Sequence, residues 1–210
     1  RPEDAVALME AATVIAIGPG LGLDAWGRGL LDAALATGKP MVVDADALTL
    51  IAGQADIGTA DWVLTPHPGE AGRLLGVSAG DIQQDRFAAL DSLSARYGGT
   101  VLLKGLGTLV QGEPVDAGPV RSLIRDGNPG MASGGMGDVL TGGIAALRAQ
   151  GLNGFDAARL GAMVHARAAD HCAAAQGERG LLATDLLGAL RQQLNHRLQG
   201  HELPQGADKK

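Results

Sequence analysis

The chain has 210 residues, 46% of them apolar but only 2% aromatic, and a formal net charge of −6. That length suits one domain with a core of Ala, Val, Leu and Ile. The acidic balance argues against nonspecific nucleic-acid binding, no run of 18 or more apolar residues suggests a membrane span, and the single Cys172 excludes an intrachain disulfide. Residues 1–4 carry no apolar signal-peptide core, and a cytoplasmic protein fits these features. Cys172, among alanines, reads as a small core residue.

In chain order the pattern alternates strand and helix. Residues 13–17 read as a β-rich run ending in glycines, and residues 23–36 have helical spacing stopped by Gly38 and Pro40. Residues 41–43 form a second buried strand ending at Asp44, with a short helix after Asp46. Residues 62–64 are a third strand, cut off by Pro66 and Pro68. Residues 81–97 read as one amphipathic helix with Asp81 as N-cap, followed by a fourth strand at residues 100–103. Residues 109–110 and 120–124 read as an antiparallel pair. The last third is helical over residues 136–150, 155–175 and 183–198, with Thr184 and Asp185 as possible caps of the third, and a frayed polar tail at residues 201–210. Apolar strands alternating with helices predict a mostly parallel sheet covered on both faces, with ligands at the carboxyl ends of the strands. Glycine and polar clusters follow each of the first four strands, at residues 18–22, 44–46, 65–70 and 104–108.

The strongest chemical signal is Gly127-Asn128-Pro129-Gly130-Met131-Ala132-Ser133-Gly134-Gly135-Met136-Gly137-Asp138, running into an apolar helix. Glycines let amides converge on one point, and a helix start adds partial positive charge, which together suit a phosphoryl group. Asp138 would lie in the first turn, able to accept a proton from an attacking hydroxyl. The competing reading is a glycine-rich turn with Asp138 as a helix-start residue; the length of the glycine run, with Asn and Ser interleaved, favours the functional one. It is not a Walker A loop, because no Lys-Ser/Thr follows the last glycine.

Other residues carry two readings each. Gly20-Leu21-Gly22-Leu23-Asp24-Ala25 satisfies a dinucleotide-binding pattern with Asp44 ending the next strand, but Pro19 is unusual there and residues 134–138 are left unexplained. His67, between two prolines, either sits over a ligand or is a solvated loop histidine; Glu70 reads as a helix-start residue. Lys104 meets phosphate as a point charge or reaches solvent. Asp44 and Asp46 orient a metal-bound water or a ribose, or cap the helix at Ala47. Asn128 turns its loop. His165 and His171, six apart on a helix, face different ways and make no metal site, while Arg167 and Asp170 read as a solvated face.

With those segments in view, the sequence resembles the ADP/ATP-dependent NAD(P)H-hydrate dehydratases. Five stretches match in the family's order: Ile17-Gly18-Pro19-Gly20-Leu21-Gly22, Val43-Asp44-Ala45-Asp46-Ala47-Leu48, Leu64-Thr65-Pro66-His67-Pro68-Gly69-Glu70, Lys104-Gly105-Leu106-Gly107-Thr108, and the run ending at Asp138. The resemblance implies a ribokinase-like three-layer α/β/α domain over residues 1–210, N-terminally incomplete relative to the family. It implies phosphorylation of the ring hydroxyl of hydrated NADH or NADPH by ADP or ATP, with Mg²⁺ held mainly by phosphates and water, followed by loss of phosphate. By the match, Asp138 is the base, and the amides of Gly135, Met136 and Gly137 hold the moving phosphoryl. Gly22, His67 and Asp138 lie at the hydrate, and Lys104, Gly105, Leu106, Gly107, Thr108 and Gly137 at the nucleotide. The expected partners are these small molecules, in a homo-oligomer, with no nucleic acid or membrane. An ordinary small-molecule kinase of the same fold, an oxidoreductase and a noncatalytic nucleotide-binding module are the alternatives.

Overall fold

The computed structural model describes residues 2–54, 61–114 and 118–195. Their six strands form one sheet in the order β1-β2-β3-β4-β5-β6, running β1 Ile15–Ile17, β2 Met41–Val43, β3 Trp62–Leu64, β4 Thr100–Leu103, β5 Thr108–Gly112 and β6 Val120–Ile124. The first four are parallel in register, with Ala16 opposite Val42 and Val42 opposite Val63. β5 and β6 are antiparallel, as expected, with Leu102 opposite Val110 and Val110 opposite Ser122.

The strand order never reverses, and this decides where the helices go. Right-handed crossovers between successive parallel strands of a sheet growing in one direction all fall on one face. That face carries α2 (Ala25–Ala36), α3 (Ala45–Ile51), α4 (Pro68–Leu75), α5 (Ala79–Gln84) and α6 (Arg86–Tyr97). They bury Leu31, Leu48, Leu74 and Leu90 against Met41, Val43, Leu64 and Leu103. The alternate strand residues Val42, Val63, Leu102 and Val110 point the other way, onto α7 (Met136–Ala149) and α8 (Gly154–Gln176) through Ile144, Phe155 and Ala162. The period-2 alternation of side chains therefore builds two cores on one sheet, the expected three-layer arrangement. Each fully buried Leu or Val contributes about 1.5–3 kcal/mol. A dinucleotide crevice needs a strand-order reversal, and the described sheet has none.

Several local expectations are corrected. Residues 81–97 are two helices, not one: Asp85 (φ −143°, ψ 87°) breaks the chain, ending α5 and accepting the Ala88 N–H to start α6. The N-cap of α5 is Ser78, with Asp81 as its capping-box partner at the third helical position. A helix, α1 (Pro2–Ala11), precedes β1, where the sequence pattern shows none; Lys39 reaches across from before β2, its Nζ donating to the carbonyls of Met9 (3.0 Å), Ala12 (2.6 Å) and Glu10. That cap is supplied from 27 or more residues away, so no local signal announces it. In the last third, Ala183–Asp185 is a 3₁₀ turn and α9 runs over Leu186–Leu194. Asp185 accepts from Leu182 N–H rather than capping α9, and the tail at residues 201–210 lies outside the described residues. Cys172 is half-buried instead of fully in the core; its Sγ donates to the Asp185 carbonyl at 3.4 Å.

Candidate active site

The carboxyl ends of the parallel strands meet at Asp44. This residue directly follows β2 and its side chain is 2% exposed. It is the N-cap residue of α3 by its backbone, but its side chain does not cap the helix: Oδ1 accepts from Lys104 Nζ at 2.7 Å and Oδ2 from Thr141 Oγ1 at 2.9 Å. The pair ties the end of β4 to the end of β2, and the hydroxyl brings α7 down onto both. Ala45 follows with φ +46°, the only positive φ at a non-glycine among the described residues. That left-handed turn costs of order 1 kcal/mol and lets Asp46 face elsewhere. Asp46 Oδ2 accepts the N–H of Gly22 at 2.9 Å, so the loop after β1 is held against the loop after β2. Gly18 is required at that junction. A Cβ there would lie 1.7 Å from the Asp44 carbonyl oxygen, and its φ of +135° suits only glycine.

His67 and Glu70 start α4 as a reciprocal cap. His67 Nδ1 accepts from Gly69 N–H (2.9 Å) and Glu70 N–H (3.3 Å), and Glu70 Oε2 accepts from His67 N–H (2.7 Å). With Nδ1 accepting, Nε2 carries the proton and lies 3.4 Å from Glu70 Oε1. Nδ1 is thus engaged by the helix start, and the side chain is 49% exposed. Glu70 is nearly buried and its Oε2 stands 3.7 Å from Lys104 Nζ.

Residues 104–107 are the hairpin loop between β4 and β5. Arg86, at the start of α6, grips it from behind: Nη2 donates to the carbonyls of Leu103 (3.1 Å) and Lys104 (3.3 Å), and Nη1 to that of Leu106. Burial lowers the pKa of Arg86 from its ordinary value. Thr108 Oγ1 closes the loop onto the Gly105 carbonyl at 3.2 Å, and Leu106 at the tip is 96% exposed.

The glycine run enters α7 through Gly135, whose φ of +84° makes it a left-handed N-cap without a side chain. The first helical bond is Val139 N–H to Gly135 C=O; the amides of Met136, Gly137 and Asp138 have no acceptor among the described residues. A Cβ on Gly137 would lie 3.4 Å from Asp44 Oδ2 and 3.5 Å from Lys104 Nζ, so the open end of α7 stands directly beside the lysine. Asp138 is exposed in that first turn, without a described hydrogen bond.

Gly22, His67, Lys104, Gly135, Met136, Gly137 and Asp138 therefore gather at one end of the sheet, linked through Asp44, Asp46 and Glu70; no hydrogen bond joins Asp138 itself to the others. Asp44, Asp46 and Glu70 now have definite partners, and Arg86 carried no signal in the sequence beyond its place at a helix start. No group of three or more His, Cys, Asp or Glu that could cage a metal occurs among the described residues. A groove of about 930 Å³ lies at the opposite end, lined by Val14, Pro40, Asp61, Gly99 and Arg148 before the strands begin. In open α/β sheets ligands collect at the carboxyl ends of the strands, which is the end opposite this groove. Asp170 corrects another expectation: it is half-buried under the glycine run, while Arg167 is exposed and pairs with Asp126 at 3.5 Å.

The fold defines an α/β protein of the ribokinase-like class, with glycine-rich loops, Lys104 and the open start of α7 at the carboxyl ends of its strands. The comparisons agree. The chain is similar to the crystal structure of the ADP/ATP-dependent NAD(P)H-hydrate dehydratase of Bacillus subtilis co-crystallised with ATP and Mg²⁺, with a TM-score of 0.78 at 28% identity, covering 91% of this chain and 69% of that one. A ribokinase-like superfamily protein from Enterococcus faecalis matches with a TM-score of 0.75 at 30% identity, covering 90% and 64%. The chain belongs to the NAD(P)H-hydrate dehydratase family, whose sequence profile matches residues 1–192. It is 49% identical over 193 residues to the bifunctional NAD(P)H-hydrate repair enzyme Nnr of Coxiella burnetii, covering 92% of this chain and 38% of that protein. It is 40% identical over 196 residues to the ADP-dependent (S)-NAD(P)H-hydrate dehydratase of Neisseria meningitidis, covering 90% and 65%. The chain thus spans under two fifths of the first relative's length and about two thirds of the second's.

Proposed function

We propose that this chain is the dehydratase domain of a nicotinamide-nucleotide repair enzyme, a lyase that returns the S form of hydrated NADH or NADPH to the reduced cofactor at the expense of ADP or ATP. The observation that carries this reading is the open start of α7: the amides of Met136, Gly137 and Asp138 without acceptors among the described residues, an exposed carboxylate in the same turn, and Lys104 beside Gly137. Asp138 takes the proton of the ring hydroxyl as its oxygen attacks the terminal phosphoryl of the nucleotide. The free amides of Met136 and Gly137, with that of the N-cap Gly135 beside them, meet the charge that develops on the transferring group, and the dipole of a 14-residue helix adds to them. The phosphate ester then breaks at the ring carbon, and loss of a proton from the neighbouring carbon restores the double bond. Water leaves poorly and phosphate well, which is why a nucleotide is spent.

In this reading residues 104–108 hold the nucleotide, with Leu106 offering an apolar tip to the base, and Gly22 and the exposed face of His67 border the hydrate. Because the Gly22 amide is taken by Asp46, Gly22 contributes space and its carbonyl rather than a donor. The donor set suits Mg²⁺ bound through nucleotide phosphates and water: the buried carboxylates Asp44 and Glu70 lie beside Lys104 without forming a cage. Bound with the nucleotide, Mg²⁺ supplies neutralisation of phosphate charge. A net charge of −6 suits small-molecule partners over nucleic acid, in a cytoplasmic homo-oligomer.

The test is recovery of reduced-nicotinamide absorbance from hydrated NADH, with and without ADP or ATP. Recovery only with nucleotide, with inorganic phosphate released in equal amount, is the expected result. A stable phosphorylated product identifies a kinase instead, recovery without nucleotide an oxidoreductase, and nucleotide binding without turnover a noncatalytic module.

A further inference from the structure

Behind the glycine run, α8 places a carboxylate that the reaction does not touch. Asp170 Oδ2 accepts the N–H of Gly127 at 2.9 Å, and its Oδ1 accepts from Asn128 Nδ2 at 2.8 Å. Asn128 in turn uses its Oδ1 to accept the N–H of Gly130 at 3.0 Å, starting the 3₁₀ turn Pro129–Met131. One side-chain pair therefore sets the entry of the segment whose exit is the open end of α7. The bonds span 42 and 43 residues, and α8 is itself packed along α7. Ser133 Oγ fastens the middle of the segment to the Leu181 carbonyl at 3.0 Å. The segment these anchors hold carries glycines at 127, 130, 134 and 135, which have little stiffness of their own.

We propose that Asp170 is a positioning residue for phosphoryl transfer: through Asn128 and the Gly127 amide it holds residues 127–135 so that the amides at the start of α7 stand where the transferring group arrives. The inference rests on the reading of those amides given above. Misplacing preorganised donors by a fraction of an ångström weakens binding of the transition state far more than binding of the nucleotide, whose main contacts are with residues 104–108. The signature is thus a fall in kcat with little change in nucleotide KM.

The pair allows a reciprocal exchange. In Asp170→Asn, two amide groups face each other, and the new side chain can satisfy Gly127 or Asn128 but not both. In the double variant Asn128→Asp/Asp170→Asn the network re-forms with the donor on the other partner: Asn at 170 accepts from Gly127 and donates to Asp at 128, which still accepts from Gly130. The experiment measures kcat, nucleotide KM and thermal midpoint for the full chain, the two single variants and the double. The expected result is a kcat lower by roughly tenfold or more in each single variant, nucleotide KM within about twofold, and recovery of most of the loss in the double. Near-normal kcat in folded Asp170→Asn overturns the assignment, as does a folded double variant no faster than the singles. Should Asp170→Asn not fold, the double variant and Asn128→Ala carry the same comparison. Absence of turnover in the unaltered chain contradicts the dehydratase reading and not the clamp, which is then read by amide exchange over residues 127–138. Faster exchange in the single variants and restored protection in the double support it; unchanged exchange overturns it.

Discussion

Replacing Asp44 with Asn tests whether the strand ends are held together by charge. The carboxylate is 2% exposed and its partner Lys104 20% exposed, with Nζ 2.7 Å from Oδ1. At an effective dielectric constant of about 20 the bare attraction at that distance is about 6 kcal/mol, but desolvation of both groups offsets much of it. Asn keeps the shape and loses the charge. Its single oxygen can accept from Thr141 or from Lys104, and in the first case its Nδ2 faces Nζ, donor to donor. Glu70 at 3.7 Å offers the lysine only a weaker alternative. A hydrogen bond to a charged group contributes about 1.5–3 kcal/mol, and stranding a partly buried lysine adds to the loss, so Asp44→Asn should destabilise by about 2–4 kcal/mol. For a chain of this size that is roughly 4–16 °C in Tm. Urea unfolding at pH 7 with an unchanged m-value measures it. Adding Lys104→Met removes the stranded cation, and the double variant should recover about 1.5–3 kcal/mol relative to the sum of the singles. A loss below about 1 kcal/mol, or strict additivity, refutes the reasoning.

Three further outcomes are expected. Gly18→Ala drives a Cβ into the Asp44 backbone at 1.7 Å and should cost over about 4 kcal/mol, whereas Gly20→Ala, with φ +66° and open space, should cost about 1 kcal/mol; thermal melts of the two variants separate them. Arg86→Lys cannot span the Leu103, Lys104 and Leu106 carbonyls, so nucleotide KM should rise about fivefold or more while the hydrate KM stays within about twofold in steady-state kinetics. His165, 6% exposed, has its pKa lowered from 6.5 to about 4, chiefly by burial, with the Met136 backbone opposing. Between pH 6.5 and 4 the unfolded chain binds a proton there that the folded one does not, so this contribution is full above pH 6.5 and is lost as pH falls to about 4. His165→Gln should therefore flatten the acid loss of stability by up to about 3 kcal/mol, read as the difference between the two urea-unfolding profiles from pH 7 to pH 4.

The alternation of apolar strands with helices was legible because its two periods are local properties of the chain, and so was the clustering of the glycine and polar loops after the first four strands. The glycine run before α7 was legible because few other needs concentrate glycine next to an acidic helix start. What escaped the sequence depends on partners far along the chain. Lys39 caps α1 from outside it, Asp170 looks like any charged helix residue until the glycine run is laid over it, and Arg86 acquires its meaning from three carbonyls 17 to 20 residues away. The break at Asp85 was missed for a different reason: the apolar pattern of residues 81–97 continues through it, and only two side-chain caps, from Ser78 and Asp85, mark two helix starts. His67 shows the limit in the other direction. Its place between prolines was plain, but its role as the cap of α4 needed the geometry of both nitrogens.

The account turns on the carboxylate in the first turn of α7. In Asp138→Asn the helix start keeps its amides and its shape but has no base, so single-turnover assays on hydrated NADH with ADP or ATP should show the rate falling by about a hundredfold or more, with nucleotide affinity within about threefold of the unaltered chain. A near-normal rate in that variant would contradict the mechanism.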